Sequence, residues 1–152
     1  MILEYYRIRE DVVPPTRANP SDAGLDLRFN PKNGRTVFLR PGESAILSTG
    51  YKFGIPHGYM LQVMNRGGVA AKKSLMVGAC VVDSGYDGEV FVNLHNVGTI
   101  DQHIQPGDKI AQGVIIPVVA VRFLERSDED LYNWSPITIS DRGEGSLGST
   151  GE

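Results

Sequence analysis

One short segment of this 152-residue chain has the residue types that bind an anion. Arg66 is followed by Gly67 and Gly68 and then by a run that is compatible with a helix. Exposed amide N–H groups at a helix start, together with a guanidinium group, suit a phosphate. Taken alone, the same residues are equally consistent with an exposed arginine before a glycine turn.

A second segment, VDSGYDGE (82–89), could activate water. Asp83 ends an apolar strand, and a turn that carries Tyr86 then reverses the chain. A carboxylate held in this position could act as a general base. The alternative is that Asp83 only closes the hairpin turn through its own backbone.

A third segment, DRGEGSLGSTGE (141–152), contains four glycines and no run that could form a core. Such a backbone can bring several amides to phosphate oxygens, and Arg142, Ser149 and Thr150 add further donors. We expect a mobile arm in the absence of ligand. A solvated tail without a binding role is the competing interpretation.

Few residues have the spacing of metal ligands. Asp26 lies between Leu25 and Leu27 and could point from a strand into solvent or toward a metal ion. The three histidines lack ligand spacing, and Cys80 has no nearby partner for a zinc site. We therefore predict structural or surface roles for the histidines.

The elements that must position these residues are mostly short strands. Apolar or alternating segments recur at 2–8, 36–39, 44–53, 59–64, 90–95 and 110–123. The turn sequences NPKNG, RPGE, IPHG and QPGD lie between them, which indicates an all-β sandwich or barrel. Either face of strand 90–96 could be buried. Helices are predicted at 69–74 and, more weakly, at 127–131.

Composition excludes several classes of function. The net charge of −3 does not provide the positive surface that binding along a nucleic-acid backbone needs. The longest apolar run, 113–121, is broken by Pro117 and is too short to span a bilayer, so we predict no membrane residence. A lone cysteine cannot form an internal disulfide, and the first residues are charged too early and too often for a signal peptide. Both features favour a reducing, cytosol-like compartment.

In order and spacing, five segments resemble the motifs of the trimeric deoxyuridine triphosphatase (dUTPase) family. They are SDAGLDL (21–27), RGGVAAK (66–72), VGACVVDSGYDGE (77–89), GDKIAQ (107–112) and RGEGSLGSTG (142–151). The resemblance implies a jelly-roll or distorted β-barrel domain (1–140) that forms a homotrimer. It also implies that the arm (141–152) closes the active site of a neighbouring subunit. The location would be the cytoplasm, or the host cytoplasm if the source is viral.

The activity that the resemblance implies is hydrolysis of dUTP to dUMP and pyrophosphate with Mg²⁺ on the triphosphate. Asp83 would orient and deprotonate the attacking water, while Arg66 and Gln112 would hold phosphates. Asp26 would reach Mg²⁺ through water. The implied substrate-binding residues are Gly67, Gly68, Cys80, Val82, Tyr86, Arg142, Leu147, Gly148, Ser149 and Thr150, with Tyr86 under the deoxyribose and the hairpin around Cys80 and Val82 reading uracil.

The chain departs from the family pattern in its second, third and fifth motifs. Gly67 stands where the family usually has serine, Gly85 where it has aspartate, Cys80 where it has glycine, and Leu147 where it has phenylalanine. Two alternatives follow: a nucleotide-binding regulatory protein on the same scaffold, or a related pyrophosphatase with a shifted base preference. We find no match to the catalytic acid motif of dCTP deaminases.

Overall fold

A computed structural model describes residues 1–129, 131, 132 and 144. Within these residues the chain forms eleven strands and one helix, which confirms the all-β prediction. The elements are β1 (Glu4–Arg7), β2 (Leu25–Arg28), β3 (Val37–Leu39), β4 (Ser44–Ser48), β5 (Tyr51–Gly54), β6 (Tyr59–Met64), α1 (Gly67–Lys73), β7 (Leu75–Val77), β8 (Val81–Asp83), β9 (Phe91–Asn96), β10 (Gln102–Ile104) and β11 (Lys109–Pro117).

The described strands pair as four antiparallel sheets and do not close into a continuous barrel. The largest sheet has the order β2-β11-β6-β8, and a three-stranded sheet has the order β4-β9-β7. Two-stranded sheets, β1-β5 and β3-β10, complete the pairing. Many short strands joined by long-range pairings are typical of a jelly roll.

Two predicted strands are shorter in the structure than in the sequence pattern. Segment 44–53 divides into β4 and β5 because Gly50 has a φ of +75°, a conformation that ends the extended run. The last predicted strand, 110–123, ends at Pro117, which cannot donate a ladder hydrogen bond. The strands β2, β7 and β10 are three or four residues long, too short for a clear alternation.

One apolar core is enclosed between the sheets. Residues from nearly all strands are buried there, with Leu27, Leu61, Val92 and Leu94 at 0% exposure. In β9, Val92, Leu94 and Asn96 face inward, which settles the face that the sequence left open. Tyr51 is also fully buried, and its hydroxyl accepts the Arg28 N–H at 3.0 Å.

The predicted helix at 69–74 is confirmed as α1, which begins two residues earlier, at Gly67. Ser74 caps the helix with a left-handed φ of +52°. None of the helices in the described part of the chain has the length and apolar character needed to cross a membrane.

The chain divides into a unit of residues 1–120 and a unit of residues 121–152. In the second unit, residues 127–129 form a bend, so the weak helix predicted at 127–131 is wrong for these residues. Its three charged residues in succession, Asp128, Glu129 and Asp130, give that stretch no apolar face to pack. The boundary predicted at 140/141 lies outside the described residues and stays a prediction.

Candidate active site

The ends of three neighbouring strands bring the first, second and fourth motifs together. Asp26 on β2 lies opposite Gln112 on β11, and Gln112 lies opposite Met64, the last residue of β6. The chain leaves β6 through Asn65 and reaches Arg66, the N-cap of α1. Sheet register therefore places Asp26, Gln112 and the start of the segment that leads to Arg66 in one row across β2, β11 and β6.

Asp26 is the electrostatic centre of this row. Its side chain is buried, and two cations hold its carboxylate: Arg66 Nε lies 2.7 Å from Oδ1 and Lys109 Nζ lies 2.6 Å from Oδ2. Burial alone would raise the pKa of Asp26, but the hydrogen bonds from Lys109 and Arg66 and the charges of these two residues outweigh burial and lower it. The carboxylate is therefore ionised at neutral pH, and the three groups together carry one net positive charge.

Lys109 lies opposite Arg28 on β2, so Asp26 is its diagonal neighbour two residues along that strand. The register shifts between Lys109 and Ala111, as in a β-bulge. A bulge re-aims the side chains on either side of the extra residue. The sequence motif GDKIAQ contains Lys109 but does not give the β2–β11 register, so its partnership with Asp26 was not predicted.

Arg66, Gly67, Gly68, Asp26 and Gln112 line one polar cavity of about 300 Å³. The Arg66 guanidinium uses Nε for Asp26, and among the described residues its terminal Nη groups make no hydrogen bond, so they remain able to bind an anion. A Cβ atom added at Gly67 or Gly68 would meet nothing within 4 Å. The glycine pair thus leaves the helix start open.

Gln112 is fixed by its own neighbours. Its Nε2 donates to the Asn65 carbonyl at 2.9 Å, and a Cβ on Gly24 would lie 2.5 Å from Oε1. Gly24 in the first motif is therefore needed for the close approach of β2 to the Gln112 side chain. Among the described residues the second N–H of Nε2 makes no hydrogen bond and remains able to bind an anion, whereas Oε1 lies against Gly24.

The third motif forms a separate cavity of about 230 Å³, which Asp83, Tyr86 and Val82 all line. The Asp83 carbonyl accepts the Tyr86 N–H at 3.2 Å and closes the turn, whereas the carboxylate makes no hydrogen bond within the described residues. Asp83 therefore closes the turn through its backbone and also has an exposed carboxylate, so the two interpretations of this residue are compatible. Gly85 has a φ of +85°, which explains a glycine at this position.

Tyr86 is held against the same hairpin. Its hydroxyl donates to the Glu89 carbonyl at 2.9 Å, and a Cβ on Gly88 would collide with its ring. Glu89 in turn accepts the Gly50 N–H at 2.8 Å and the Ser48 hydroxyl. These contacts fix the ring of Tyr86 beside Asp83, while Asp87 instead forms an ion pair with Lys52 at 2.6 Å.

Cys80 lies just before this cavity and does not line it. Its carbonyl accepts the Val63 N–H at 2.7 Å, which joins the hairpin to β6. The side chain is half-buried. The remaining predicted site residues, Arg142, Leu147, Gly148, Ser149 and Thr150, lie outside the described residues.

The two cavities lie at opposite ends of β6. Asp83 is opposite Met60, and Gln112 is opposite Met64, which is four positions further along β6. At about 3.3 Å per residue, this separates them by roughly 13 Å along the strand. Because the two cavities share no lining residue, one chain does not bring the predicted water-activating carboxylate to its own predicted phosphate-binding cluster.

Comparison with known proteins identifies the same family that the five sequence motifs resemble. A family model described as dUTPase matches residues 10–151. The deoxyuridine 5'-triphosphate nucleotidohydrolase of Chlamydia trachomatis serovar L2 is 36% identical over 140 residues, which are 91% of this chain and 90% of that protein. The enzyme of the same name from Caulobacter vibrioides is 38% identical over 143 residues, 93% of this chain and 87% of that protein.

Solved structures give the same result. A mutant of the Staphylococcus bacteriophage 80alpha dUTPase with dUpNHpp superposes with a TM-score of 0.84 at 25% identity, over 99% of both chains. A mutant dUTPase of phage phi11 of S. aureus, a structure that shows the coordination of a structural Mg(II) ion, superposes with a TM-score of 0.76 at 25% identity. That match covers 85% of this chain and 99% of the phage protein.

Proposed function

This chain belongs to the dUTPase family, and from that premise we infer that it is a dUTP diphosphatase that hydrolyses dUTP to dUMP and pyrophosphate. The observation that supports this function most directly is the pair of cavities described above. One contains the Arg66 guanidinium, whose Nη groups make no hydrogen bond among the described residues, and an open glycine-lined helix start, which together suit a triphosphate. The other has an exposed carboxylate beside a tyrosine ring, which suits a sugar and a water molecule.

The reaction needs a positioned water and stabilised phosphate charge more than covalent help from the protein. We assign the attacking water to Asp83, whose carboxylate would orient it toward the α-phosphorus and accept its proton. Arg66 would bind phosphate oxygens through its terminal Nη groups while Asp26 holds the other side of the guanidinium. Gln112 and the backbone N–H groups of Gly67 and Gly68 complete this cluster.

Mg²⁺ fits this cavity only in a limited way. The described residues contain no group of three or more histidine, cysteine, aspartate or glutamate side chains that could hold a metal. Mg²⁺ commonly takes one or two carboxylates and several waters together with substrate phosphates. Because Arg66 and Lys109 already engage both oxygens of Asp26, this carboxylate would contact the ion through water. The ion would neutralise charge on the triphosphate.

For base and sugar selection, we assign the deoxyribose to the ring of Tyr86, which would leave no room for a 2′-hydroxyl. The peptide groups of the hairpin around Cys80 and Val82 would bind the polar edge of uracil. A buried polar match of this kind discriminates strongly, because the wrong base leaves groups unpaired. Leu147, Gly148, Ser149, Thr150 and Arg142 would close the site from the arm of another chain.

We propose that the active enzyme is a homotrimer with sites between chains. The separation of Asp83 from Gln112 along β6 supports this, since a site that needs both must take them from different copies. Exposed apolar side chains provide surface for such contacts, among them Phe38, Ile46, Val119 and Phe123, all at least 65% exposed.

The activity itself is tested by release of pyrophosphate from dUTP, dCTP, dTTP and UTP with Mg²⁺. We expect turnover of dUTP, and Asp83→Asn should abolish it while dUTP binding remains measurable by calorimetry. Asp87→Asn is the matched control on the same hairpin and should retain activity. If the wild-type chain binds dUTP but releases no pyrophosphate at high enzyme concentration, the enzymatic assignment is wrong and the regulatory alternative is favoured.

The shared site is tested by mixing two inactive variants. Asp83→Asn chains lack the water-activating carboxylate, and Arg66→Ala chains lack the phosphate-binding arginine. After the two are unfolded and refolded together, some sites should combine an intact Asp83 with an intact Arg66 and recover dUTP hydrolysis. Activity no greater than the sum of the separate variants would contradict the shared site.

A further inference from the structure

In the hairpin that we propose to bind the uracil base, the chain passes from one sheet to another. β7 belongs to the β4-β9-β7 sheet and β8 to the β2-β11-β6-β8 sheet, so residues 78–80 carry the chain from one to the other. We call residues 78–80 the crossover. The Gly78 N–H still donates to the Asn93 carbonyl of β9 at 2.9 Å, and the Cys80 carbonyl already accepts from Val63 of β6 at 2.7 Å.

Where a chain passes from one sheet to another, some backbone N–H groups have no partner in either sheet. In this segment, two asparagine side chains accept hydrogen bonds from such groups. The Val77 N–H donates to Asn65 Oδ1 at 2.8 Å, just before the crossover. The Ala79 N–H, in the middle of the crossover, donates to Asn93 Oδ1 at 3.2 Å. Alternate N–H groups along this segment are therefore held by side chains from β9 and from the β6–α1 connection.

The Asn93 carboxamide is itself held from two sides. Its Nδ2 donates to the Ala45 carbonyl of β4 at 3.3 Å, and its Oδ1 lies 3.0 Å from His95 Nε2. The Ala79 N–H identifies this atom as the carboxamide oxygen, which can only accept, so His95 Nε2 is the donor in the second contact. Asn93 thus has one orientation, which ties the crossover to the neighbouring strand β4.

Gly78 makes this arrangement possible. A Cβ at position 78 would lie 2.5 Å from His95 Nε2 and still closer to Asn93 Oδ1. The backbone of the crossover therefore rests directly on the Asn93 and His95 side chains. Such a close approach fixes the direction in which the following peptide groups of Cys80 and Val82 point.

We propose that Asn93 and Asn65 are positioning residues that set base selectivity by fixing the crossover. The proposal rests on the proposed function, because it takes the peptide groups around Cys80 and Val82 as the ones that read the base. Neither asparagine is assigned a contact with the nucleotide. Both act through the backbone N–H groups that they accept.

The test uses Asn93→Leu, which keeps the side-chain size and removes the acceptor, and Asn93→Asp, which keeps an acceptor for the Ala79 N–H and loses only the donor to the Ala45 carbonyl. Asn33→Leu is the matched control, because Asn33 also accepts a backbone N–H, that of Arg35 at 2.9 Å, in a different loop. Each variant is assayed for kcat/KM with dUTP and with dCTP, and for hydrogen exchange of the Ala79 amide.

We expect Asn93→Leu to lower the dUTP-to-dCTP ratio of kcat/KM by about fivefold to tenfold, the effect of one hydrogen bond, through a higher KM for dUTP with little change in kcat. Asn65→Leu should change the ratio in the same direction. The Ala79 amide should exchange faster in Asn93→Leu, and Asn93→Asp should keep both the ratio and the slow exchange. Asn33→Leu should change neither.

An unchanged selectivity ratio in folded Asn93→Leu would overturn the proposal, as would an unchanged exchange rate of the Ala79 amide. A uniform loss of activity toward both nucleotides would show a purely structural role and also overturn it. If wild-type protein hydrolyses no nucleotide, the proposed function fails. The exchange experiment then still decides whether Asn93 holds the crossover.

Discussion

Substitution of Gly67 by serine tests the phosphate-binding assignment most sharply. Gly67 is the first residue of α1 and lines the polar cavity with Arg66, and a Cβ added there meets nothing within 4 Å. A serine side chain can therefore enter the cavity without displacing a neighbour. Its hydroxyl would add a donor where the departing pyrophosphate gains charge.

The expected size of the effect follows from comparable donors. A hydroxyl that acts like an oxyanion-hole donor lowers the barrier by about 3 kcal/mol, which corresponds to roughly a hundredfold in kcat. Such a donor raises kcat because it binds the transition state more strongly than the substrate. Loss of a glycine from a helix also stabilises the fold by about 0.5 kcal/mol, and this gain must be separated from the chemical one.

Gly67→Ala provides that separation, because it adds the Cβ and the helix propensity without the hydroxyl. Steady-state pyrophosphate release is measured for wild type, Gly67→Ala and Gly67→Ser at saturating dUTP and Mg²⁺. We expect kcat to rise only in Gly67→Ser, while both variants unfold at or above the wild-type temperature. Equal rates in the two variants, or a slower serine variant, would refute the argument that position 67 faces the reacting phosphates.

Two further predictions concern stability. Gly78→Ala should lower the free energy of unfolding, measured in urea, by about 2 to 3 kcal/mol, because its Cβ would be forced against Asn93 and His95. Gly54→Ala is the control and should lower it much less, because a Cβ there meets its nearest atom at 3.9 Å. Equal losses in the two variants would contradict the close approach at Gly78. Asp26 has a lowered pKa, so its ion pairs stabilise the fold fully above the ordinary carboxyl value of about 3.9, and this contribution disappears as pH falls through the lowered pKa. The stability difference between wild type and Asp26→Asn should therefore be constant from pH 7 to 5 and shrink below about pH 4, and a difference that stays constant to pH 2 would show that the ion pairs contribute nothing.

The sequence predicted the fold class because its turn residues occur at regular intervals between apolar segments. It also predicted α1, where the apolar run follows two glycines. It did not predict that 44–53 divides at Gly50, since that break depends on a positive φ in a segment that is otherwise strand-like. The short strands β7 and β10 were missed, and the bounds of the strand that carries Asp26 were not predicted, because pairing partners distant in the chain define them.

The candidate site was predicted in its residue types but not in its arrangement. From the sequence, Asp26 could point either into solvent or toward a metal ion. The structure instead buries its side chain between Arg66 and Lys109. That outcome depends on the register between β2 and β11, which a sequence pattern does not show. Sequence order likewise did not show that Asp83 and Gln112 lie at opposite ends of β6, because that separation is set by register on a third strand.

The separation along β6 has a consequence for inheritance when two versions of the gene are expressed together. In the proposed trimer, each chain contributes Asp83 to one site and Arg66 to another. One allele defective at Asp83 and a second defective at Arg66 would each encode an inactive enzyme. Every trimer that contains both kinds of chain would nevertheless have one complete site. Mutations at these two positions should therefore fall into separate complementation groups, although they lie in a single gene.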